Sequence, residues 1–591
     1  MKNNLLRITA LAFAVGATFS IHAAQPTLAK HHSDMLGCDA CHTKPIKVSD
    51  SETHENASCV SCHGGLEDLA EPGHANHFDP HASHLGTINC TSCHTGHAEP
   101  QYVCNDCHSF EHDDMPFANT GKERKPAFTG FDQDKIEQAI AKGPKESVDV
   151  VVIGAGSAGF NAAISAHEAG ANVILLEKHM FSGGNSMLAA GGYNATGTPL
   201  MEKKGIKDSV DWFVEDALKG GRGANDVDLV RVMGEQSADG IAWLESLGAD
   251  MGDLKRSGGA RVDRTHRPSD GASVGPHIVE TLRNAANKRN IETRVNSRAE
   301  KVLRDENGKI SGVVVHGKHS GYYLIEAKAV VMATGGFGYN EKMFAEYRPQ
   351  FAGMSSSNNV TATGDGLKLA EEVGAGMVDI EWVQAHPTIG KGSRILVSET
   401  VRGVGAIMVN VNGKRYVNEL TTRDKASQAT LKEPEQYSWL VMDEQLLKKS
   451  SMIRGYKDLG MMVEANTIEE LAKQTGMKPE VLSKTVADYN RYRENGKDEE
   501  FGRDNMPVSI TQAPYYAVAV NPGVHHTMGG ISINTSAQVK DDNGKVIPGL
   551  FAAGEATGGV HGHNRLGGNA IADTVVFGRI AGDSAAAYVA D

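Results

Sequence analysis

Positive charge is in short supply: 59 Lys and Arg face 73 Asp and Glu, leaving a formal net charge of −14 at pH 7. With no basic stripe and only 6% aromatic residues, the chain lacks the electrostatic footprint of a nucleic-acid binder. Proline is low, at 19 of 591 residues, which argues against a disordered linker protein, while glycine, at 66, is high enough to make the chain rich in turns. Beyond the N-terminus no uncharged apolar run reaches the roughly 20 residues that a membrane-spanning helix needs. Cysteine is missing altogether from residue 108 to residue 591. All eight cysteines lie between Cys38 and Cys107, and 14 of the 25 histidines precede residue 120. A chain of 591 residues is too long for one core, and this segregation divides it into chemically distinct parts.

Residues 1–24 combine a short positive region (Lys2, Arg7), the apolar stretch LLRITALAFAVGATF and the small residues Ala23 and Ala24, the pattern of a secretory signal. A second cleavage point follows Ala29, and residues 1–29 are read as a signal peptide. The mature protein is therefore expected to be exported and soluble.

Export and cysteine together ordinarily point to disulfides. Here each cysteine pair is followed at once by histidine: Cys38, Cys41, His42; Cys59, Cys62, His63; Cys90, Cys93, His94; and Cys104, Cys107, His108. This is the c-type haem attachment pattern repeated four times. Two thiols add across the haem vinyl groups, and the adjacent imidazole reaches the iron. Zinc ribbons also use paired cysteines but do not need the histidine, so four covalently attached haem c groups are expected. Spare histidines can fill the second axial position: His32 precedes the first pair, and His81, His84 and His97 surround the third. His54, His74 and His77 are candidates on spacing alone. Bis-histidine ligation leaves no open site and favours electron transfer over oxygen binding. So short a peptide around four macrocycles has little core of its own, so the haems must supply it.

Residues 112–145 turn to proline and glycine and then to a helical pattern, FDQDKIEQAIAKG, read as a linker. VDVVVIGAGSAGFNAAISAHEAGANVILLEK (148–178) is a βαβ unit. Its strand Val148 to Ile153 runs into Gly154, Gly156 and Gly159, then an alanine-rich helix, then a strand from Asn172 to Leu176 ending at Glu177. The first glycine permits a tight turn, the second lets backbone approach a pyrophosphate, and the third allows close helix–strand packing. Glu177 is placed to accept hydrogen bonds from an adenosine ribose. Further glycine-rich stretches follow at 179–192, 327–338 and 549–582. A large flavin touched by several such segments explains their dispersion better than a nicotinamide in one cleft, so FAD is expected. No feature suggests a covalent flavin linkage.

The stretches MATGG, TGDG, QAHPT, SETVRG, NELTTRDKAS, GVHHTMGG and HGHNRLGGNAI carry a family resemblance. From about residue 30 to the end, the sequence resembles the periplasmic flavocytochrome c fumarate reductases of respiring Gram-negative bacteria. Its flavin half is similar to the flavoprotein subunit of fumarate reductase/succinate dehydrogenase. The resemblance implies a multidomain protein: a small haem-packed tetrahaem cytochrome c domain (30–130), then an α/β Rossmann-like FAD-binding domain (131–381 and 526–591) interrupted by a mobile α+β clamp domain (382–525). By the same resemblance, His42, His63, His94 and His108 ligate haem iron together with His32, His81, His84 and His97. FAD is held by Ala158, Glu177, Asn185, Ser186, Ala190, Gly191, Ala299, Asp365, His526, Glu555, Ala570 and Ile571. Substrate is held by His386, Ser398, His525 and Arg565, with Arg423 as proton donor and Glu399 and Arg402 in support. The implied reaction is reduction of fumarate to succinate in the periplasm by a soluble, monomeric protein. Its implied electron donor is a membrane-anchored, quinol-oxidising multihaem cytochrome.

The residue types suit that chemistry. Reducing an activated double bond needs a hydride at one carbon and a proton at the next while both carboxylates are held still. Arg565, in a glycine-rich setting, suits bidentate carboxylate recognition, and His386 and His525 can donate to carboxylate oxygens. Arginine, protonated to above about 12, serves as an acid only against a developing carbanion and if reprotonated at once. Glu399 and Arg402, three residues apart, can form that relay. Against the family pattern, Ser257 and Leu396 stand where methionines are common, Ser398 replaces threonine, and His563 replaces alanine. Two rivals remain: reduction of another unsaturated carboxylate such as an aryl acrylate, and an electron-carrier or storage flavocytochrome. The two carboxylate-clamping ends oppose the first, and the intact Arg423, Glu399 and Arg402 oppose the second.

Overall fold

The computed structural model describes residues 130–591 together with Cys59, residues 89–94, Val103 and Phe128. The signal peptide expected over 1–29 lies outside the described residues, as do Cys38, Cys41, Cys62, Cys104, Cys107, His32, His42, His63, His81, His84, His97 and His108. In the third attachment unit, Cys90–Ser92 forms a single 3-10 turn, and the N–H groups of Cys93 and His94 both donate to the Cys90 carbonyl, at 3.2 and 2.8 Å. One turn thus carries both thiols and the following imidazole of a haem-attachment unit.

Strands β1 (Pro144–Ile153), β2 (Val173–Leu176), β3 (Glu292–Arg294), β4 (Ser297–Arg304), β5 (Ile310–Gly317) and β6 (Gly321–Met332) are followed by β7 (Val383–Gly390), β8 (Ile407–Val409), β9 (Ser438–Asp443), β10 (Met462–Ala465) and β11 (Tyr515–Thr527), and then by β12 (Gln538–Lys540) and β13 (Val546–Ala552). The helices that bear on the site are α1 (Gln133–Lys142), α2 (Ser157–Glu168), α3 (Gly184–Met187), α4 (Val210–Gly220), α5 (Asp365–Glu372), α6 (Glu399–Gly403), α7 (Arg423–Lys432) and α8 (Asn569–Ala590).

The first sheet has eight strands in the order β12-β13-β6-β1-β2-β3, with β5 pairing β6 and β4 pairing β5. Its middle, from β13 to β3, is parallel. A parallel sheet is covered on both faces, so its strands read as continuous apolar runs. Val150, Val151, Val152, Leu175, Val330 and Val331 accordingly have no exposed surface, each worth about 1.5–3 kcal/mol of burial. Ile153 pairs with both Leu176 and Met332, and Met332 with Ala552, so β1, β2, β6 and β13 end level. The loops that follow them open at the carboxyl edge of the sheet, where ligands of such folds bind. The turn after β1 requires its glycines: Gly154 has φ of 104°, and a Cβ on Gly159 would sit 1.7 Å from the Gly154 carbonyl oxygen. The expected linker helix is present as α1, capped by the Asp132 side chain, and it buries Ile136 and Ala139 against Val314 and Leu324 of this sheet.

The second sheet is antiparallel and five-stranded. The C-terminal half of β11 pairs with β7, while its N-terminal half lies between β9 and β10, with β8 beyond β9. Separate apolar clusters pack on it, one including Leu446, Leu447 and Ile453, the other Leu471, Leu482 and Tyr489. The strand β11 runs through the expected boundary at 525/526, so His525 and His526 are consecutive residues of one strand that leads from the second sheet back to the first.

Candidate active site

A cavity of about 1490 Å³ extends from the carboxyl edge of the first sheet to β7 and α6 of the second. Drug-sized ligands occupy roughly 300–1,000 Å³, so this space accommodates a dinucleotide and a small substrate together. All twelve residues expected to hold FAD line it: Ala158, Glu177, Asn185, Ser186, Ala190, Gly191, Ala299, Asp365, His526, Glu555, Ala570 and Ile571. Four loop or helix starts converge there. Gly156 is the N-cap of α2, and the Ser157 N–H donates to Ser186 Oγ in α3 at 3.1 Å. Glu177 accepts from the backbone N–H groups of Ala155 (3.0 Å) and His179 (2.7 Å), which fixes its carboxylate at the end of β2. Asp365 starts α5 and pairs with Lys178 at 2.9 Å. The N-terminus of the 22-residue α8 faces the cavity through Gly568, Ala570 and Ile571, which places a helix dipole's positive end where anionic groups are favoured. Asn185 links the walls by donating to Asn358 Oδ1 (2.7 Å) and Glu555 Oε2 (3.2 Å). Burial pushes the Glu555 carboxyl up and holds the His526 imidazole well below its usual range. His526 Nδ1 is buried without a hydrogen-bond partner, which suits a polar ring system lying against it.

At the other end of the cavity lie His386, Ser398, Glu399, Arg423, His525 and Arg565. His386 is in β7, where the pairing with β11 shifts register between His386 and Ile389. Pro387, which has no N–H to give a ladder, falls in that irregularity. The Thr388 N–H turns onto His386 Nδ1 at 3.3 Å, so the proton of the neutral ring is on Nε2, which is buried and unpartnered. Burial, and then the charge of Arg423, holds His386 well below the usual histidine range. His525 is lowered likewise, by burial and then by Arg423 and Arg565, and its Nδ1 lies 2.8 Å from Ser357 Oγ. Both rings are therefore neutral. Ser398 is the N-cap of α6, its Oγ accepting from the Thr400 N–H at 3.3 Å.

Arg423 opens α7, and its Nε donates to Glu399 Oε2 at 2.8 Å. Burial alone would raise the Glu399 carboxyl; Arg423 and Arg402 overcome it and bring the group down to about 2. Arg402 stands behind the cavity wall. It gives Nη1 to the Glu419 carbonyl at 2.6 Å, while its Nε and Nη2 are buried with no hydrogen-bond partner. Arg423 and Glu399 are thus in direct contact, whereas no hydrogen bond joins Glu399 to Arg402. Arg565 is 5% exposed; burial and then Arg423 push it down to about 9, and its Nε is unpartnered.

Gln384 was missed in the sequence. Its Oε1 accepts from Arg423 Nη1 (3.3 Å) and Arg565 Nη2 (3.2 Å), and its Nε2 donates to Asn564 Oδ1 (2.7 Å) and to the Arg565 carbonyl (2.9 Å). One neutral amide thereby holds two guanidinium groups side by side. Glu419, also missed, is fully buried and pairs with Arg415 and Arg503. It anchors the segment against which Arg402 rests. An apolar strand carrying an isolated Gln, and an acidic residue inside NELTTRDKAS, give no local sign of these contacts.

Residues 149–571 match the FAD binding domain family, and residues 30–109 match the Cytochrome c3 family. A probable fumarate reductase of Shewanella frigidimarina (strain NCIMB 400) is 60% identical over 584 residues, 99% of each chain. A fumarate reductase (cytochrome) of Shewanella frigidimarina is 47% identical over 565 residues, 95% of this chain and 99% of its own. A solved structure of the open conformation of a flavocytochrome c3 fumarate reductase is 61% identical and has a TM-score of 0.85, covering 96% of this chain and 100% of that one. FAD and haem c are accordingly the cofactors of this protein, and the glycine-walled cavity with its unpartnered histidine fits the former. Sequence, cofactor domains and structural likeness agree along nearly the whole chain, which belongs to the flavocytochrome c3 fumarate reductases.

Proposed function

We propose that this chain reduces fumarate to succinate in the periplasm, with Arg423 as the proton donor. The observation that carries this reading is the charge balance at the end of the cavity. Arg423 and Arg565 line it with Arg402 behind them, Glu399 is the carboxylate paired with Arg423, and His386 and His525 are held neutral. The side-by-side guanidinium groups of Arg423 and Arg565 and the unpartnered His386 Nε2 and Arg565 Nε suit a small dianion with a carboxylate at each end. An aryl acrylate has one carboxylate and a large apolar ring, and it complements this lining less well.

When bound, FAD supplies the hydride that adds to one carbon of the double bond, and the four haem c groups deliver single electrons to it. Arg565, His525 and His386 hold the two carboxylates and so fix the double bond against rotation. Withdrawal of charge into those carboxylates makes the bond electrophilic. Arg423 donates its proton to the adjacent carbon, and the same cation stabilises the negative charge developing there. Glu399, an ionised carboxylate 2.8 Å from Arg423, first accepts a proton arriving from the Arg402 side and then passes it to Arg423, which restores both groups for the next turnover. A membrane-anchored, quinol-oxidising multihaem cytochrome is the proposed source of electrons, and the protein acts as a soluble monomer. No helix of the described residues is long and apolar enough to cross a membrane.

Steady-state oxidation of reduced viologen by the holoenzyme, run over a panel of unsaturated acids, tests the reading. Fumarate should exceed any aryl-substituted acrylate by at least a hundredfold in kcat/KM. Comparable values for the two classes would overturn it.

A further inference from the structure

Outside the cavity, the C-terminus of α4 touches the supports of both substrate-site arginines. On one side, the Gly221 carbonyl accepts from the His563 N–H at 3.0 Å, and the Gly220 carbonyl from Asn564 Nδ2 at 3.3 Å. These two residues lead directly into Arg565. On the other side, Arg222, the next residue along, forms an ion pair with Asp424. Asp424 is the second residue of α7 and the neighbour of Arg423.

Arg222 holds that position in an unfavoured backbone conformation. Its φ is 61°, in the left-handed region where the residue ending a helix is usually glycine. An arginine there bears the steric cost of its Cβ in the left-handed conformation, which glycine avoids, and an ion pair with one partner half exposed is a weak reason for it on stability grounds. The side chain of Asp424 is only 18% exposed, and its Oδ1 is buried without a partner. Arg222 is therefore the counter-charge of a largely buried carboxylate at the start of the helix that carries Arg423. A second contact braces the same corner. The Trp382 indole, one residue before β7, lies between the His563 ring at 3.6 Å and the Arg348 guanidinium at 4.0 Å, with Arg222 at 5.9 Å.

We propose that Arg222 is a positioning residue for the reaction: by tying Asp424 to the end of α4, it sets Arg423 at a fixed distance from Arg565. The proposal rests on the reading of Arg423 as proton donor. Loss of the tie leaves carboxylate binding by Arg565, His386 and His525 in place and lets the start of α7 shift, so the proton-donating step slows while substrate affinity is kept.

Arg222→Gly separates this role from a structural one, because glycine suits the left-handed backbone. In the holoenzyme, with reduced viologen as donor, this variant should keep its melting temperature and its FAD and haem content. Its kcat should fall at least fivefold with KM for fumarate within twofold of wild type, and Arg222→Lys should recover at least half of the loss. In an Arg423→Lys background, Arg222→Gly should change the residual kcat by less than twofold, since a residue acting through Arg423 has nothing further to position. A kcat within twofold of wild type for Arg222→Gly overturns the proposal, as does an equal loss in both backgrounds. Arg423→Ala is measured alongside. If that variant is inactive while Arg222→Gly is normal, only the positioning role fails; if Arg423→Ala retains activity within tenfold of wild type, the donor assignment fails and the positioning role with it.

Discussion

Replacing Gln384 by leucine removes the one neutral group that separates Arg423 from Arg565. Leucine is close in volume to glutamine and suits the apolar strand β7, so the change is chemical rather than steric. Two hydrogen bonds from guanidinium groups to Gln384 Oε1, at 3.3 and 3.2 Å, are lost, along with the two that Nε2 makes to the Arg565 loop. A bond to a charged group is worth about 1.5–3 kcal/mol, and cavity water replaces part of the two that are lost. A net loss of about 3 kcal/mol in transition-state stabilisation is expected, or roughly two orders of magnitude in kcat/KM at 1.36 kcal/mol per decade. Glutamate at the same position keeps both acceptor oxygens but adds a charge that pairs with the guanidinium groups and competes with the substrate carboxylate, so its defect should appear mainly in KM. The assay is fumarate-dependent oxidation of reduced viologen at measured FAD and haem occupancy. A leucine variant within threefold of wild type in kcat/KM, at full cofactor loading, would refute the bridging role.

Arg423→Ala should lower turnover by at least 10³-fold, about 4 kcal/mol, with FAD and haem retained, and lysine should rescue it only slightly because it lacks the planar fork; turnover within tenfold of wild type would return the acid role to His386 or His525. Stability should fall as pH drops below about 6.5. His386, His525 and His526 are all held neutral by burial, so the unfolded chain binds more protons there, at up to about 1.4 kcal/mol per pH unit for each ring; thermal melts from pH 7 to 5.5 should be shallower for His525→Gln, and identical slopes would count against this account. Mass spectrometry under denaturing conditions should show four haem increments on the mature chain, one for each CxxCH unit, and fewer would break the reading of the cysteine-rich segment.

The parts of this protein that were legible in the sequence are those whose chemistry is local. The unit from Val148 to Glu177 could be placed because its glycines, its apolar runs and its terminal carboxylate lie within one continuous segment, and each role depends on near neighbours. The same holds for the four cysteine–histidine units, where covalent chemistry dictates spacing. The second sheet was harder to read. In β7 the run VQAHPTIG contains a proline that argues against a ladder strand, and only the irregular pairing with β11 accommodates it. Resemblance, rather than pattern, brought His386, Glu399 and Arg423 into one site. Gln384 and Arg222 carry no local signal at all. The first acts by touching two arginines that are 39 and 181 positions away, and the second by an ion pair across 202 positions, distances at which only the folded chain relates the residues.

A site built from buried arginines is under electrostatic stress before substrate arrives. Burial pushes Arg402 and Arg565 down, and the charge of Arg423 adds to that effect on both. The protein supplies only partial relief: Glu399 pairs with Arg423, Glu555 and Asp573 act on Arg565 without a direct contact, and Gln384 offers an uncharged acceptor where a further carboxylate would have lowered the positive charge. That choice leaves Arg565 Nε and His386 Nε2 without partners in the protein. The groups still missing are therefore acceptor oxygens bearing negative charge, and a dicarboxylate provides both the oxygens and the charge. A monocarboxylate leaves one end of the cavity repulsive and one donor unsatisfied, at about 1–3 kcal/mol for each buried group so stranded. On the proposed reading, selection for a dianion thus follows from what the site withholds as much as from what it offers, and the same positive charge that would bind the substrate would receive the negative charge as the double bond is reduced.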